Sequence, residues 1–281
     1  MKQSTLLITG CSSGIGLTCA HGMAARGWRV FATARKAGDV AALQTQGLEA
    51  LQLDLDDSTS IQTAVDEILQ RTDGTLNALF NNGAYGLPGA IEDLSRDALR
   101  AQFETNLFGW LELTNRIIPV MRTQGHGRIV MNSSLLGFIT LPYRGAYTAS
   151  KFALEGLTDT LRMELHGSGI QVSLIEPGPI ESRFRANAHA AFKHWIDAEH
   201  SVHTKQYAAQ ERRLSKEGPA VAFTLPAEAV LKKLIHALES QRARARYRVT
   251  VPSHAFAYLK RVLSSRALDW LTRRASGGGK R

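Results

Sequence analysis

Short apolar runs rich in β-forming residues alternate with segments of helical spacing along the chain as far as Pro177. Six of these runs predict buried strands, at residues 5–9, 29–33, 50–53, 76–80, 128–132 and 171–175. Five intervening segments have helical spacing, at residues 15–26, 40–46, 60–71, 95–121 and 146–166. Strands that alternate with helices form right-handed crossovers and a mostly parallel sheet. The pattern predicts an α/β fold, a single Rossmann-type doubly wound parallel sheet with helices on both faces.

The alternation stops after Pro177, where residues 179–226 form a long polar and aromatic segment. An excursion of this length at the end of a strand is typical of a lid. We expect a substrate lid, inserted into a catalytic domain of residues 1–253 that ends with a helix at 227–239 and a strand at 247–251. The histidines of the segment lack companion ligands, so no metal is expected. Its aromatic residues can contact an apolar substrate or anchor the lid: Phe184, Phe192, Trp195 and Tyr207.

The C-terminal region carries the positive charge. The chain has 34 Lys and Arg residues against 25 Asp and Glu, a formal net charge of +9, and residues 241–281 hold 11 of those bases and one acid. Residues 254–281 are predicted to form a basic amphipathic helix, over 255–274, and a tail. Such a helix can pack on its own domain or make a peripheral contact with an anionic membrane. Weak attraction to polyanions is expected, but no recognised motif predicts a specific nucleic acid partner.

Composition excludes several classes of protein. Hydrophobic residues make up 44% of the chain and charged residues 21%, which does not fit a disordered chain. No apolar run reaches the length of about 18 residues that a membrane-spanning helix needs. Cys11 and Cys19 are too few for a disulfide framework, and the N-terminus lacks a signal-peptide core. We therefore expect a cytoplasmic protein, either free or peripheral at the inner face of the membrane.

A glycine-rich turn follows the first predicted strand and opens the first helix, with the sequence Thr9-Gly10-Cys11-Ser12-Ser13-Gly14-Ile15-Gly16. Glycines allow a tight turn that brings backbone N–H groups close to the pyrophosphate of a dinucleotide. The spacing Gly-x3-Gly-x-Gly differs from the Gly-x-Gly-x-x-Gly of longer dinucleotide domains. The predicted cofactor contacts in this turn are Gly10, Ser12, Ser13, Gly14, Ile15 and Gly16.

The end of the second predicted strand indicates which dinucleotide binds. A free adenosine ribose usually needs an acid at this point, and the chain has Arg35 and Lys36 instead. The Arg35 guanidinium can bind the 2′-phosphate of NADP(H), with Ser12 as a further donor, so NADP(H) is favoured over NAD(H). A solvated pair of cations is the alternative interpretation.

We expect two further turns of the chain to lie beside the cofactor. Asp54 and Leu55 follow the third predicted strand, where the carboxylate could meet the adenine amino group. Asn82 and Gly83 follow the fourth strand, where small residues let the chain pass beside the cofactor. Such residues also favour ordinary turns.

Tyr147 and Lys151 lie four residues apart, so they project from the same face of the predicted helix. An unperturbed tyrosine has a pKa of about 10 and is a poor acid or base at neutral pH. We expect the Lys151 ammonium to favour the phenolate and to lower the pKa of Tyr147. Ser134, at the end of a strand, can hydrogen-bond the substrate oxygen while Tyr147 exchanges its proton.

With these motifs the chain resembles the short-chain dehydrogenase/reductase family over about residues 4–180. The resemblance implies four catalytic residues: Asn106, Ser134, Tyr147 and Lys151. At Asn106 it implies a local distortion of the helix that holds a relay water. It also implies cofactor contacts from Tyr147 and Lys151, with Lys151 holding the ribose hydroxyls, and nicotinamide contacts from Pro177, Gly178 and Ser182.

Local sequences at residues 7–14, 32–35 and 151–156 resemble the 17β-hydroxysteroid and retinol dehydrogenase branch of this family, and related bacterial aldehyde and ketone reductases. This likeness implies a lipophilic carbonyl or alcohol substrate. It implies a substrate cleft lined by Ser134, Gly137, Leu141, Pro142 and Tyr143. Family members often form a homodimer or a homotetramer, and either is compatible with this chain.

These observations predict an NADP(H)-dependent oxidoreductase that interconverts a lipophilic aldehyde or ketone and its alcohol by hydride transfer, with a tyrosine as acid and base. The alternative is a non-catalytic NADP(H)-binding sensor, or a membrane- or partner-binding module that uses the basic tail. A sensor has no need of all four catalytic residues, and their retention favours the enzyme.

Overall fold

The computed structural model describes residues 3–216, 218 and 221–276. Within these residues seven strands form one sheet: β1 (Thr5–Ile8), β2 (Arg29–Ala34), β3 (Glu49–Gln52), β4 (Ala78–Asn81), β5 (Gly127–Asn132), β6 (Ile170–Glu176) and β7 (Arg246–Arg248). All neighbours pair in parallel, in the order β3-β2-β1-β4-β5-β6-β7. The predicted α/β fold with one doubly wound parallel sheet is confirmed.

Eleven α-helices connect and cover these strands in the part of the chain that the structure describes. They are α1 (Gly14–Ala24), α2 (Ala37–Thr45), α3 (Ser58–Arg71), α4 (Arg96–Phe103), α5 (Gly109–Gln124), α6 (Gly145–Glu164), α7 (Phe184–Trp195), α8 (Thr204–Leu214), α9 (Glu228–Glu239), α10 (Val251–Val262) and α11 (Ser265–Ala275). None of these helices is both long and apolar enough to span a membrane.

The sheet separates two hydrophobic cores, and β1 contributes to both. Leu7 packs in the core that α3, α5 and α6 complete, whereas Leu6 and Ile8 pack in the core that α1, α2 and α9 complete. All three side chains are fully buried, which contributes roughly 1.5–3 kcal/mol for each. Burial of both faces explains why the strands appear in the sequence as continuous apolar runs.

The helix predicted over residues 95–121 is interrupted. It divides into α4, a π-helical turn at Glu104–Phe108 and α5. Asn106 lies within that turn, so the local distortion expected at this residue is confirmed. π-Helical turns inside α-helices occur frequently at functional sites.

The insertion folds into α7 and α8, which pack over the loop that follows β4. Phe192 and Tyr207 are almost fully buried in a third hydrophobic cluster. The Tyr207 hydroxyl accepts a hydrogen bond from Ala90 N at 2.9 Å. These two aromatic residues therefore anchor the insertion, whereas Phe184 lines the cavity described below, and the role of the insertion as a lid stays a prediction.

The C-terminal elements differ from the sequence prediction. The last strand covers Arg246–Arg248, not residues 247–251, and the helix predicted over 255–274 is two helices, α10 and α11. The chain is extended between them, and the Ser264 hydroxyl caps α11 by accepting from Ala267 N. Half-buried Phe256 and Leu259 show that α10 packs on the domain.

Candidate active site

A cavity of about 720 Å³ opens at the carboxyl ends of the central strands. The strand order reverses between β1 and β4, which is where open α/β sheets bind their ligands. Leu141, from the predicted substrate set, also lines the cavity. The cavity brings together twelve residues that the sequence assigns to cofactor binding or catalysis: Gly10, Ser12, Ser13, Ile15, Asn82, Gly83, Ser134, Tyr147, Lys151, Pro177, Gly178 and Ser182.

The glycine turn leaves no room for side chains on its inner face. A Cβ atom at Gly10, whose φ is +69°, would lie 2.5 Å from Gly83 Cα. A Cβ atom at Gly16 would lie 2.2 Å from the Gly10 carbonyl oxygen, and Gly14 has a φ of +56°. The turn therefore requires glycine and runs directly into the N-terminus of α1. This cradle of backbone N–H groups fits the pyrophosphate of a dinucleotide.

A hydrogen-bond network fixes the loop after β4 against this turn. The Thr9 hydroxyl accepts from the backbone N–H groups of Asn82 and Gly83, at 2.8 and 2.9 Å. The Asn82 amide donates to the Thr9 carbonyl oxygen at 3.0 Å and accepts from Asn132 Nδ2 at 2.8 Å. Sequence reasoning missed Thr9 and Asn132, although Thr9 directly follows β1, Asn132 ends β5, and each is close in sequence to a predicted site residue.

Lys151 is fully buried beneath the floor of the cavity. Its Nζ donates to the Asn132 carbonyl oxygen at 2.9 Å and lies 4.2 Å from the centroid of the Trp110 ring. The same Nζ lies 5.8 Å from the Tyr147 ring centroid. Burial lowers the pKa of Lys151 to about 7, against the opposing effect of the nearby Glu155 carboxylate.

Tyr147 is a neutral phenol at neutral pH. Burial raises its pKa to about 12, and the Ser134 hydroxyl opposes this by stabilising the phenolate. The expected net lowering of the Tyr147 pKa by Lys151 is therefore wrong for this structure, because burial disfavours the phenolate and also weakens the charge of Lys151. A protonated phenol is suited to donating its proton to a carbonyl oxygen.

Ser134 and Phe184 complete the surroundings of Tyr147. The Ser134 hydroxyl accepts from Leu136 N at 3.1 Å, which leaves its own proton available to a substrate oxygen. The Phe184 ring meets the Tyr147 ring edge-on, with 5.3 Å between their centroids. The phenol therefore lies between a polar hydroxyl on one side and an apolar wall on the other.

Asn106 acts as a clamp between two segments of the site. Its Nδ2 donates to the Tyr85 carbonyl oxygen at 2.9 Å and to Ser150 Oγ at 3.2 Å, and its Oδ1 accepts from Tyr85 N at 3.2 Å. Gln102, which sequence reasoning missed, also donates to Tyr85 O, at 3.0 Å, and accepts from Leu87 N. The side chain of Asn106 thus ties the loop after β4 to α6, and its role in holding a relay water stays a prediction.

Five predicted cofactor contacts lie outside the cavity lining: Gly14 and Gly16 of the glycine turn, and Arg35, Asp54 and Leu55. Arg35 is exposed directly after β2. The Asp54 carboxylate accepts from Asp56 N at 3.1 Å and stabilises a turn after β3. Leu55 is buried against α5, since a Cβ atom at Gly109 would lie 2.1 Å from the Leu55 carbonyl oxygen.

The predicted substrate set is only partly placed in the cavity: Ser134 and Leu141 line it, whereas Gly137, Pro142 and Tyr143 do not, and their contact with a substrate stays a prediction. A Cβ atom at Gly137 would lie 2.9 Å from side-chain atoms of α6, so this glycine serves close packing. Tyr143, with a φ of +60°, turns into the lid, where its hydroxyl lies 3.3 Å from His203 Nδ1. Pro142, beside it, is exposed. The backbone changes direction at Tyr143, so Leu141 lines the cavity whereas Pro142 and Tyr143 do not.

A group of paired charges lies behind α6, and we name its members (Glu155, Asp159, Glu176, Arg246 and Arg248) the charge cluster. Arg246 lies 3.1 Å from Glu155, 2.5 Å from Asp159 and 2.9 Å from Glu176. Burial raises the pKa of Glu155 to about 7 and also raises that of Glu176. The cluster ties β7 to α6 and β6.

Across residues 3–216, 218 and 221–276, no three His, Cys, Asp or Glu side chains are arranged to hold a metal. His200 of the lid pairs with Asp197 at 2.8 Å. Cys11 and Cys19 are buried free thiols, and burial raises the pKa of both.

Comparison with known sequences places the chain among oxidoreductases. The short chain dehydrogenase family model matches residues 4–192. The chain is 42% identical over 269 residues to YbbO, an uncharacterized oxidoreductase of Escherichia coli, which covers 96% of this chain and 94% of that protein. It is 33% identical over 265 residues to human 17-beta-hydroxysteroid dehydrogenase type 1, which covers 89% of this chain and 78% of the human protein.

Two solved structures have the same architecture. A short-chain dehydrogenase from Streptomyces avermitilis superimposes with a TM-score of 0.77 at 26% identity, covering 99% of both chains. An actinorhodin polyketide ketoreductase with NADPH superimposes with a TM-score of 0.71 at 27% identity, covering 88% of this chain and 95% of the other. The second likeness agrees with the glycine cradle, which fits a dinucleotide.

Proposed function

From the premise that the chain belongs to the short-chain dehydrogenase/reductase family of oxidoreductases, we propose that it interconverts a lipophilic aldehyde or ketone and its alcohol with NADP(H). The observation that carries this proposal is the meeting of Ser134, Tyr147 and Lys151 with the glycine cradle in one cavity. A cofactor sensor would need the cradle alone.

Each residue of the site has a role in this reaction. When bound, the cofactor supplies or accepts the hydride. Ser134 hydrogen-bonds the substrate oxygen and orients the carbonyl group. Tyr147 donates its phenolic proton to that oxygen during reduction and takes it back during oxidation. Lys151, held by the Asn132 carbonyl oxygen, supplies a positive charge beneath the phenol when it is protonated.

Apolar side chains support a lipophilic substrate. Phe184 packs against Tyr147, and Ile180, Leu141 and Leu214 continue the apolar wall of the cavity. The human relative is named for a hydroxysteroid, a lipophilic alcohol. For this chain we propose the same broad class, namely lipophilic aldehydes, ketones and alcohols.

The choice of NADP(H) rests on Arg35. This exposed cation stands where a carboxylate would accept from a free ribose, so it can bind a 2′-phosphate instead. We expect Arg35→Ala to weaken NADPH binding by about tenfold to a hundredfold, a range typical of a charged hydrogen bond, and to change NADH binding little. Fluorescence titration with each cofactor measures the effect.

Arg96→Ala removes an equally exposed cation from α4 and serves as the matched control. Equal loss of NADPH affinity in both variants would show a general effect of charge, and NADH affinity that falls with NADPH affinity would contradict a 2′-phosphate contact. Turnover of aldehydes by the wild type distinguishes an enzyme from a sensor.

We also propose a cytoplasmic location, which the two buried cysteines without a disulfide support. The exposed side chains of Tyr258 and Trp270 leave a peripheral membrane contact open to test. Sedimentation with anionic vesicles at low salt would reveal such a contact, and recovery in the supernatant would remove it from the proposal.

A further inference from the structure

The lid side of the cavity is lined by cations. Arg144 immediately precedes α6, Arg185 lies on α7 and Arg213 on α8, and all three line the cavity. We name these three residues the lid arginines. The lining also includes the exposed Arg183 and, as its one acid among the described residues, the exposed Glu181.

The hydrogen-bond partners of two lid arginines are neutral. Arg144 donates from Nη1 to the Tyr143 carbonyl oxygen and from Nη2 to Gln210 Oε1, each at 2.9 Å. Arg185 donates from Nη2 to the Gly218 carbonyl oxygen at 2.5 Å. The Nη1 of Arg185 is buried and has no hydrogen-bond partner. Buried polar atoms are nearly always paired, so this nitrogen keeps a hydrogen-bonding capacity that no protein group uses.

The lid arginines also have no compensating charge. Throughout the described parts of the chain, no Asp or Glu forms an ion pair with any of the three. Burial lowers the pKa of Arg144 to about 9, and repulsion from Arg213 adds to this effect. Burial lowers the pKa of Arg213 as well, with repulsion from Arg185. Arg144 and Arg185 are half-buried and Arg213 is exposed, and together the three guanidinium groups place positive charge on the wall of the cavity.

An anion bound in the cavity would compensate the positive charge of the lid arginines. A carboxylate accepts two parallel hydrogen bonds from a guanidinium, and such charged hydrogen bonds are about twice as strong as neutral ones. The cofactor phosphates have other binding groups, namely the glycine cradle and Arg35, which follow the ends of strands. The lid arginines lie on or beside the lid. The anion that suits the lid arginines therefore belongs to the substrate.

We propose that the substrate is an oxo acid, whose carboxylate binds the lid arginines while its carbonyl group lies against Ser134 and Tyr147. Arg144 precedes Tyr147 by three residues, so the two binding points belong to one short segment of the chain. The apolar wall of Leu141, Phe184 and Leu214 accommodates the chain of carbons between them. This inference rests on the proposed carbonyl chemistry and names its substrate class.

The test compares ω-oxo carboxylates of increasing chain length with their methyl esters, which keep the aldehyde and remove the charge. The ratio of kcat/KM for acid over ester is measured in the wild type, in Arg213→Gln and in Arg212→Gln. Arg212 is exposed on the same helix and lies outside the cavity lining, so it controls for the loss of one charge. The wild type should prefer the acid at one chain length, and Arg213→Gln should reduce the ratio by about tenfold to a hundredfold.

Two outcomes would overturn the inference. Esters that match or exceed the acids in the wild type would exclude a carboxylate site. An equal loss of the ratio in Arg212→Gln and Arg213→Gln would show long-range attraction and no binding site.

Failure of the proposed reaction gives a different result, because then neither acids nor esters are reduced. In that case calorimetric titration with decanoate and with decanol still tests the site. Decanoate should bind the wild type more tightly than it binds Arg213→Gln, whereas equal affinities would overturn the inference without any reference to turnover.

Discussion

Two groups of arginines, Arg246 and Arg248 of the charge cluster and the lid arginines, differ in their partners. In the charge cluster, Arg246 contacts three carboxylates, and Arg248 lies 3.3 Å from Glu176. Around the cavity, Arg144 and Arg185 donate to two backbone carbonyl oxygens and one side-chain amide. Among the described residues no carboxylate compensates them. Arginine is therefore paired with carboxylates in the charge cluster, whereas the lid arginines have no carboxylate partner in the described part of the chain.

This difference separates structural charges from binding charges. A buried ion pair holds its elements in place, and removing one partner leaves an uncompensated charge. A group of unpaired cations instead lowers its free energy when an anion arrives.

Arg246→Ala should give the largest change in stability. It leaves Glu155, Asp159 and Glu176 without their common partner, and breaking a buried ion pair typically costs about 3–5 kcal/mol. Urea denaturation measures the free energy of unfolding. Arg242→Ala, at an exposed position nearby, should change it by less than about 0.5 kcal/mol. Equal changes in the free energy of unfolding for the two substitutions would contradict a structural role of the charge cluster.

Glu155→Gln should change the pH dependence of turnover. The Glu155 carboxylate raises the pKa of Lys151, so its removal lowers that pKa below about 7. Since activity needs the Lys151 ammonium, activity falls as pH rises through this pKa, and in the variant it should fall at a lower pH. We expect a shift on the order of one pH unit, equivalent to about 1.4 kcal/mol.

The pH profile of kcat/KM measures this shift, with Glu164→Gln at the exposed end of α6 as the control. A profile that stays in place in Glu155→Gln would show that the charge cluster does not act on Lys151.

Arg213→Gln should give the smallest change in stability. This residue has no ion pair within the described residues, and its loss relieves repulsion of Arg144. We expect the free energy of unfolding to change by less than about 0.5 kcal/mol. Thermal unfolding in the absence of ligand measures it. Destabilisation as large as that in Arg246→Ala would mean that the lid arginines are structural and would remove the contrast between the two groups.

Much of the fold could be predicted from the sequence because local patterns determine it. The first six strands lie within one or two residues of their predicted positions, since a strand buried on both faces leaves a continuous apolar run. The seventh strand has one buried side chain, Tyr247, between two arginines. The alternation of polar and apolar residues therefore indicates a strand here but places it at 247–251, because the contacts of Arg246 with Glu155 and Glu176 involve residues distant in sequence.

The candidate site shows the same limit. The glycine turn and the pair Tyr147 and Lys151 could be predicted because their spacing itself carries the geometry. The clamp by Asn106 on Tyr85 and the burial of Lys151 against Trp110 depend on contacts between distant segments. For that reason the direction of the Tyr147 pKa shift was beyond sequence reasoning. The lid arginines become a group only after α7 and α8 fold over the cavity.

The most direct test of this account is NADPH consumption with an ω-oxo carboxylate by the wild type and by Tyr147→Phe. The substitution removes the phenolic proton and keeps the ring that packs against Phe184. We predict turnover by the wild type and a loss of about a hundredfold to ten-thousandfold in kcat for the variant, with NADPH affinity unchanged. Turnover by Tyr147→Phe close to that of the wild type would contradict proton transfer at Tyr147.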